Sequence, residues 1–307
     1  MLDRDAAPGL DPDHRPIEIP SPDTELARLV ARASPARLAL RLVVIALAVA
    51  LSGAAAWHAR DLYAERRARR VPMAHIPGGK VRIGNASGPS EEQPEHEITL
   101  DAFDIDLTEV TVAAYAACVR RGRCAPPRKG DFCNWGKDRI DDHPINCVDH
   151  DQAAAFCAFV GKRLPTEKEW EHAARGADAR RFPWGDALPE ASRLNVCGAE
   201  CRLYGAERGR AWPVMHEGDD GHPLTAPVGS FPAGRSPYGL FDAEGNVREW
   251  TASPYCPYPA DRCGNEIEYV IRGAAWSSHV MTNVEVTTRE AIGRSEALES
   301  LGFRCAR

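Results

Sequence analysis

Ten cysteines, all between positions 118 and 305, carry the plainest chemical potential in this 307-residue chain. Thiolates are nucleophiles and soft metal ligands, and in an oxidising compartment pairs of them become disulfides. No C-x-x-C occurs and the intervals are irregular, so disulfides are expected rather than zinc ligation. A second stretch is Ser277-Ser278-His279, with Met281 two residues on. A hydroxyl beside an imidazole has the residue types of a nucleophile and its base, but adjacency in sequence is not that geometry. His279 and Met281 are copper-type ligands that need a bent backbone to share one ion; a solvent-facing His and a packing Met is the favoured reading. Two glycine-containing loops, Gly218–His222 and Asp242–Glu249, combine carboxylates with free carbonyls, which suits a hard cation such as calcium.

The elements that must position these residues are few. Thr111 is placed to cap a helix over 112–121 with Gly122 beyond it, and Asp149 one over 150–160 with Gly161 as the stop. Thr166 and Glu169 form a capping box before 167–175, which Gly176 ends. Short β-type runs cover 81–83, 99–105, 269–272 and 284–288. Residues 177–268 show almost no periodicity, and irregular chain of that length needs metals or disulfides to fix it. The expectation is an α+β domain with little regular secondary structure, stabilised from within its loops.

Residues 38–57 are apolar apart from Arg41 and Ser52 and end in Trp57, a pattern that reads as one transmembrane helix. A cleaved signal peptide is the rival, disfavoured by the long leader. The six prolines among residues 1–37 predict a disordered tail, and residues 58–70 a charged juxtamembrane stalk. Arginines on the two sides of 38–57 nearly balance. All the cysteines lie C-terminal to it, so that side is expected to face outward, into the periplasm or extracellular space. Residues 71–307 carry 27 Lys and Arg against 35 Asp and Glu, which leaves no basic footprint for nucleic acid.

Eight phrases occur in order: His75-Ile-Pro-Gly-Gly79, Gly161 to Glu171 (GKRLPTEKEWE), Phe182-Pro-Trp-Gly185, Ala226-Pro-Val-Gly229, Tyr238-Gly-Leu-Phe-Asp242, Gly245-Asn-Val-Arg-Glu-Trp-Thr251, Arg272-Gly273 and Leu301-Gly-Phe-Arg-Cys305. Together they resemble the formylglycine-generating enzyme (sulfatase-modifying factor) family over essentially all of 71–307. The resemblance implies a C-type-lectin-like core and, in oxidase members, conversion of a substrate cysteine to formylglycine with copper and dioxygen.

In those members two cysteines five residues apart bind copper as thiolates. Here the motif positions are Ser278 and Asn283, whose hard, neutral groups cannot replace two thiolates for Cu(I). Copper is therefore not expected. The motif's groove implies Trp276, Ser277, His279 and Arg289 as candidate lining residues. The resemblance also implies two calcium sites. One uses Asn195, Val196, Asp220 and His222; the other uses Asp242, Gly245, Val247 and Glu249, and its two carboxylates make it the stronger of the pair. Cys157 and Cys305 match a disulfide of the family, while the family's second pair falls on Ala174 and Thr288 and is absent. Local pairing of the other cysteines gives 118–124, 133–147, 197–201 and 256–263.

The expected protein is membrane-anchored through 38–57, with an outward-facing domain that binds a protein, peptide or glycan without oxidase activity. The alternative is a divergent formylglycine-generating oxidoreductase. The sulfoxide-synthase branch of the superfamily is disfavoured, since no His-rich helical segment precedes residue 71.

Overall fold

A computed structural model describes residues 35–69, 71–260, 264 and 267–307. Two compact units divide at Ala59/Arg60. Helix α1, Pro35–Arg69, contains a 29-residue stretch from Pro35 to Tyr63 that is long and apolar enough to cross a membrane. The expected tail at 1–37 lies outside the described residues as far as position 34. The charged 58–70 stretch continues α1 as far as Arg69. There Asp61 pairs with Arg120 at 2.8 Å, Glu65 with Arg121 at 2.9 Å, and Ala68 enters the core. A spacing of three to four residues puts these three on one helix face.

In the second unit, strands β1 (Met73–Ile76) and β4 (Phe103–Asp106) pair antiparallel, as do β2 (Gly79–Ile83) and β3 (His96–Leu100). A four-stranded sheet has the order β7-β6-β5-β8, from Arg289–Gly293, Glu268–Arg272, Arg248–Pro254 and Leu301–Gly302. Helices α2 (Val112–Arg120), α3 (His150–Phe159) and α4 (Glu167–Arg175) start where the caps predict. The Thr111 side chain accepts the Ala114 amide, and Asp149 with Gln152 and Thr166 with Glu169 form complete capping boxes.

Three expectations change. The run at 99–105 breaks into the end of β3 and the start of β4. At 284–288 there is no strand: Val284 and Val286 are buried in apolar clusters, and strand pairing begins only at Arg289. The aperiodic stretch holds a helix the sequence did not announce, α5 (Ala199–Ala206), whose N-cap Gly198 offers no side chain to cap it.

The main core joins α2, α3, β5 and the C-terminal strand through Tyr115, Phe156, Trp250 and Phe303. Cys157–Cys305, Cys118–Cys124, Cys133–Cys147 and Cys197–Cys201 are disulfides. For the 256–263 pairing, Cys256 is disulfide-bonded and Cys263 lies outside the described residues.

At the centre, Arg304 and Glu249 are both fully buried. Arg304 Nε and Nη2 donate to the two Glu249 oxygens at 2.7 Å each. The remaining donors reach the carbonyls of Asp106 and Leu107 at 3.1 Å and Phe241 at 2.8 Å. Removing one partner of a buried pair strands the other's charge, at a cost of about 3–5 kcal/mol. Arg304→Met is therefore expected to lower unfolding free energy by about that amount in a urea titration, and Arg304→Lys, lacking the planar fork, to recover only a minor part.

Candidate functional site

Asn246 is the junction from which the site is built. Its Oδ1 accepts the Ala226 amide at 2.9 Å, its Nδ2 donates to Glu109 Oε1 at 3.0 Å, and its carbonyl accepts the Trp276 amide at 2.9 Å. Its own amide donates to the Asn195 carbonyl at 2.8 Å. The neighbouring Gly245 has φ +97, and a Cβ there would stand 2.6 Å from the Asn195 carbonyl oxygen. Glycine is what lets the two candidate cation loops touch.

The first loop is built from the Asn195 and Asp220 segments. Asn195 and Asp220 each hold a buried oxygen, Oδ1 and Oδ2 respectively, with no hydrogen-bond partner among the described residues. Asp220 Oδ1 accepts the His222 amide at 2.8 Å, and the Val196 amide lies near the same carboxyl. Burial pushes the Asp220 carboxyl up to about 7, with the nearby Glu200 adding in the same direction. Glu200, on α5, accepts the Asp220 amide at 3.2 Å and so ties the loop to that helix.

The second loop is differently provided. Both Glu249 oxygens accept from Arg304, and Oε2 also accepts the Trp170 indole at 2.9 Å. Asp242 Oδ2 accepts the Gly229 amide at 2.6 Å, and burial moves its carboxyl up to about 6. Burial, then the charge of Asp242, drives the neighbouring Glu109 carboxyl well above the usual range. Val247 is buried.

The segment at the implied copper positions is tied down by hydrogen bonds at Ser278. Ser278 is buried; its hydroxyl accepts the Ala275 amide at 3.0 Å and its carbonyl accepts the Cys197 amide at 3.1 Å. Asn283 lies in a 3-10 turn over Met281–Val284. His279 is exposed, whereas Met281 packs beside the Phe182, Leu194 and Val196 cluster, so they do not face one ion. Among the described residues no group of three or more His, Cys, Asp or Glu side chains converges as metal ligands.

Trp276, Ser277 and His279 line a cleft of about 270 Å³. Its aromatic wall was not read from the sequence: Phe132, Trp212 and Trp276 stand in a mutual triangle with ring centroids 5.7–5.8 Å apart. Asn146 holds two parts of it in place, donating to the Phe132 carbonyl at 2.9 Å and the Glu299 carbonyl at 2.6 Å. Trp212 lies against Gly205 of α5, where a Cβ would come within 2.9 Å of the indole. Arg210, Glu299 and the Cys197–Cys201 disulfide complete the lining. A Trp-Pro pair beside a Cys-flanked segment was the available signal.

Arg289, a groove candidate on sequence, lies elsewhere. It is buried, donates to Glu167 Oε2 at 2.8 Å and to the Cys256 carbonyl at 3.0 Å, and stacks 4.0 Å from the Tyr258 ring. It holds an internal carboxylate.

Residues 59–307 match the family model described as a sulfatase-modifying factor enzyme 1-like domain. The chain belongs to the sulfatase-modifying factor, or formylglycine-generating enzyme, family. It is 29% identical over 285 residues to the Bos taurus protein named inactive C-alpha-formylglycine-generating enzyme 2, covering 77% of this chain and 88% of that one. To the formylglycine-generating enzyme of Streptomyces coelicolor it is 30% identical over 289 residues, with 76% and 88% covered. Among solved structures, PvdO from Pseudomonas aeruginosa superposes with TM-score 0.58 at 26% identity, over 76% of this chain and 93% of that one. The family thus includes members named as active and as inactive enzymes.

The Asp220 environment makes a pH prediction. Its carboxyl is raised in the folded state, so the unfolded chain binds fewer protons between about pH 4 and 7. In calcium-free buffer its contribution to stability is fully present below about pH 4 and lost as the pH rises through about 7. Chemical unfolding from pH 4 to 8 is expected to show this fall in the wild type and a flatter curve in Asp220→Asn.

Proposed function

We propose that this protein is a membrane-anchored, extracytoplasmic member of its family that acts by binding an extended peptide, without copper-oxidase activity. The observation that carries the reading is at Ser278 and Asn283. The residues at the implied thiolate positions are a hydroxyl committed to the Ala275 amide and an amide in a 3-10 turn, while an aromatic cleft stands beside this segment. Cu(I) selects soft sulfur ligands, which these residues do not supply. A cleft walled by Trp and Phe and edged by Arg210, His279 and Glu299 suits a peptide that stacks its apolar side chains and pairs its charges at the rim.

The anchor reading is supported by the apolar stretch of α1, and the outward orientation by four disulfides that all lie in the second unit. A C-type-lectin-like description of the core is part of the same reading, supported by the resemblance. Calcium belongs to the first loop. Its Asn195 and Asp220 oxygens are hard ligands without protein partners, which the Val196 and His222 carbonyls would join. A bound calcium there would fix the loop and satisfy those buried oxygens. In the second loop Arg304 neutralises Glu249, and a proton retained by Glu109 or Asp242 relieves the remaining charge.

Two measurements test this reading on the solubilised full-length protein. Calcium is expected to raise the thermal midpoint of the wild type and to leave that of Asp220→Asn unchanged; an equal rise in both contradicts the first-loop site. A labelled sulfatase-type Cys-x-Pro-x-Arg peptide, followed by anisotropy and then by mass spectrometry, is expected to bind and to be recovered with its cysteine intact. Trp212→Ala should weaken that binding roughly tenfold, the loss of one central aromatic anchor. Aldehyde in the recovered peptide contradicts the reading and returns the oxidoreductase alternative.

A further inference from the structure

Residues 60–63 are common to the apolar stretch, which runs to Tyr63, and to the second compact unit, which begins at Arg60. Within that unit the segment from Arg60 onward is fastened to the end of α2. Arg120 Nε donates to Asp61 Oδ1 at 2.8 Å, Arg121 pairs with Glu65 at 2.9 Å, and Ala68 is buried in the main core. We propose that Arg60, Arg66, Arg120 and Arg123 form a docking surface for anionic phospholipid headgroups; this rests on the membrane-anchored reading above.

Three observations carry it. The first is depth. Tyr63 ends the apolar stretch and is 69% exposed, the position and character of an interfacial aromatic. Asp61 lies two residues earlier, which is about 3 Å along the helix axis. Its partner Arg120 therefore stands within reach of the headgroup layer, about 5–7 Å thick on each side of the hydrocarbon. Arg60 reaches the same layer by extending its side chain along the helix.

The second is charge. Segments 60–66 and 120–123 carry five arginines, at 60, 66, 120, 121 and 123, against the two acids Asp61 and Glu65. Residues 71–307 as a whole have 27 basic residues against 35 acidic ones, so this end of the unit runs against the average. An anionic bilayer repels an acidic domain, and a local basic end reverses the sign.

The third is availability. Both acids are engaged internally, Asp61 by Arg120 and Glu65 by Arg121. Arg60, Arg66 and Arg123 are exposed, and none of them pairs with a carboxylate among the described residues. Arg120 is half-exposed and uses only Nε on Asp61, which leaves its two terminal nitrogens for a phosphate. The turn that carries Arg121 and Arg123 is held in shape. Cys118–Cys124 closes it, and the Arg121 and Arg123 amides donate to the Ala117 and Cys118 carbonyls at 3.2 and 3.1 Å. Its arginines are presented without further ordering of the backbone. The domain is thus held to the bilayer by its α2 end rather than left free on a stalk.

The test uses full-length protein in lipid nanodiscs, of phosphatidylcholine alone or mixed with phosphatidylglycerol. Arginines are modified with p-hydroxyphenylglyoxal, and the rate at each site is read by peptide mass spectrometry. Modification of Arg66, Arg120 and Arg123 is expected to slow ~5-fold in the mixed discs, the gain of one basic residue at an anionic surface. It should recover in ~1 M salt, where the Debye length falls to ~3 Å. Arg210, in the aromatic cleft, is expected to keep one rate in both lipids. Equal rates at the three sites in the two lipids, or a slowing shared by Arg210, overturns the proposal. Entry into the discs separates the failures. A chain that enters but shows equal rates loses the docking surface and keeps the anchor; a chain that does not enter phosphatidylcholine discs loses both.

Discussion

The fully buried pair of Arg304 and Glu249 is the constraint around which the irregular chain is organised. Arg304 spends its donors on one carboxylate and three carbonyls, and those carbonyls come from the end of β4, the residue after it, and the 241 loop. Glu249 in turn fixes the Trp170 indole on α4. A guanidinium with five N–H donors in a plane can join segments that no ladder of backbone bonds connects. Such an arrangement tolerates little change, because each partner is costly to leave alone in a dry interior. It also explains why so little regular secondary structure suffices: charge-assisted bonds and short disulfides do what longer sheets do in other folds.

From that centre the order passes outward to the cleft. Asn246, four residues after Asp242, binds the 195 loop on one side and Trp276 on the other. The calcium-type oxygens and the aromatic wall are therefore not independent features. A cation on Asn195 and Asp220 would stiffen the loop that meets Gly245 and α5, and α5 carries the disulfide and the surface on which Trp212 lies. The loops of that connected set are held by hydrogen bonds through Asn246 and by the Cys197–Cys201 disulfide.

Much of this was legible in the residues. The three capped helices are local events, written in Thr111, Asp149 and Thr166 and their partners, and they form where a side chain can satisfy the first turn. Four of the disulfide pairs were equally readable, being matters of residue identity and local spacing or of the resemblance. Elements depending on distant partners were not. Helix α5 has no side-chain cap and exists because a disulfide and Trp212 hold it. Residues 284–288 have strand composition, but Val284 and Val286 are drawn into the interior, and the sheet takes the following residues instead. In the two loops read as cation sites, the structure pairs Glu249 with Arg304 and leaves oxygens of Asn195 and Asp220 in the first, and of Glu244 in the second, without hydrogen-bond partners among the described residues.

The central claim of the proposed function is that the segment beside the cleft holds no soft copper site. A Cu(I) competition titration tests it most directly: oxidised full-length protein, anaerobic, is mixed with one equivalent of Cu(I) and a strong thioether- or imine-type chelator of known affinity. The account predicts that the chelator takes all the copper and that Ser278→Cys/Asn283→Cys, but not the wild type, competes for it. Retention of one equivalent by the wild-type protein would contradict it.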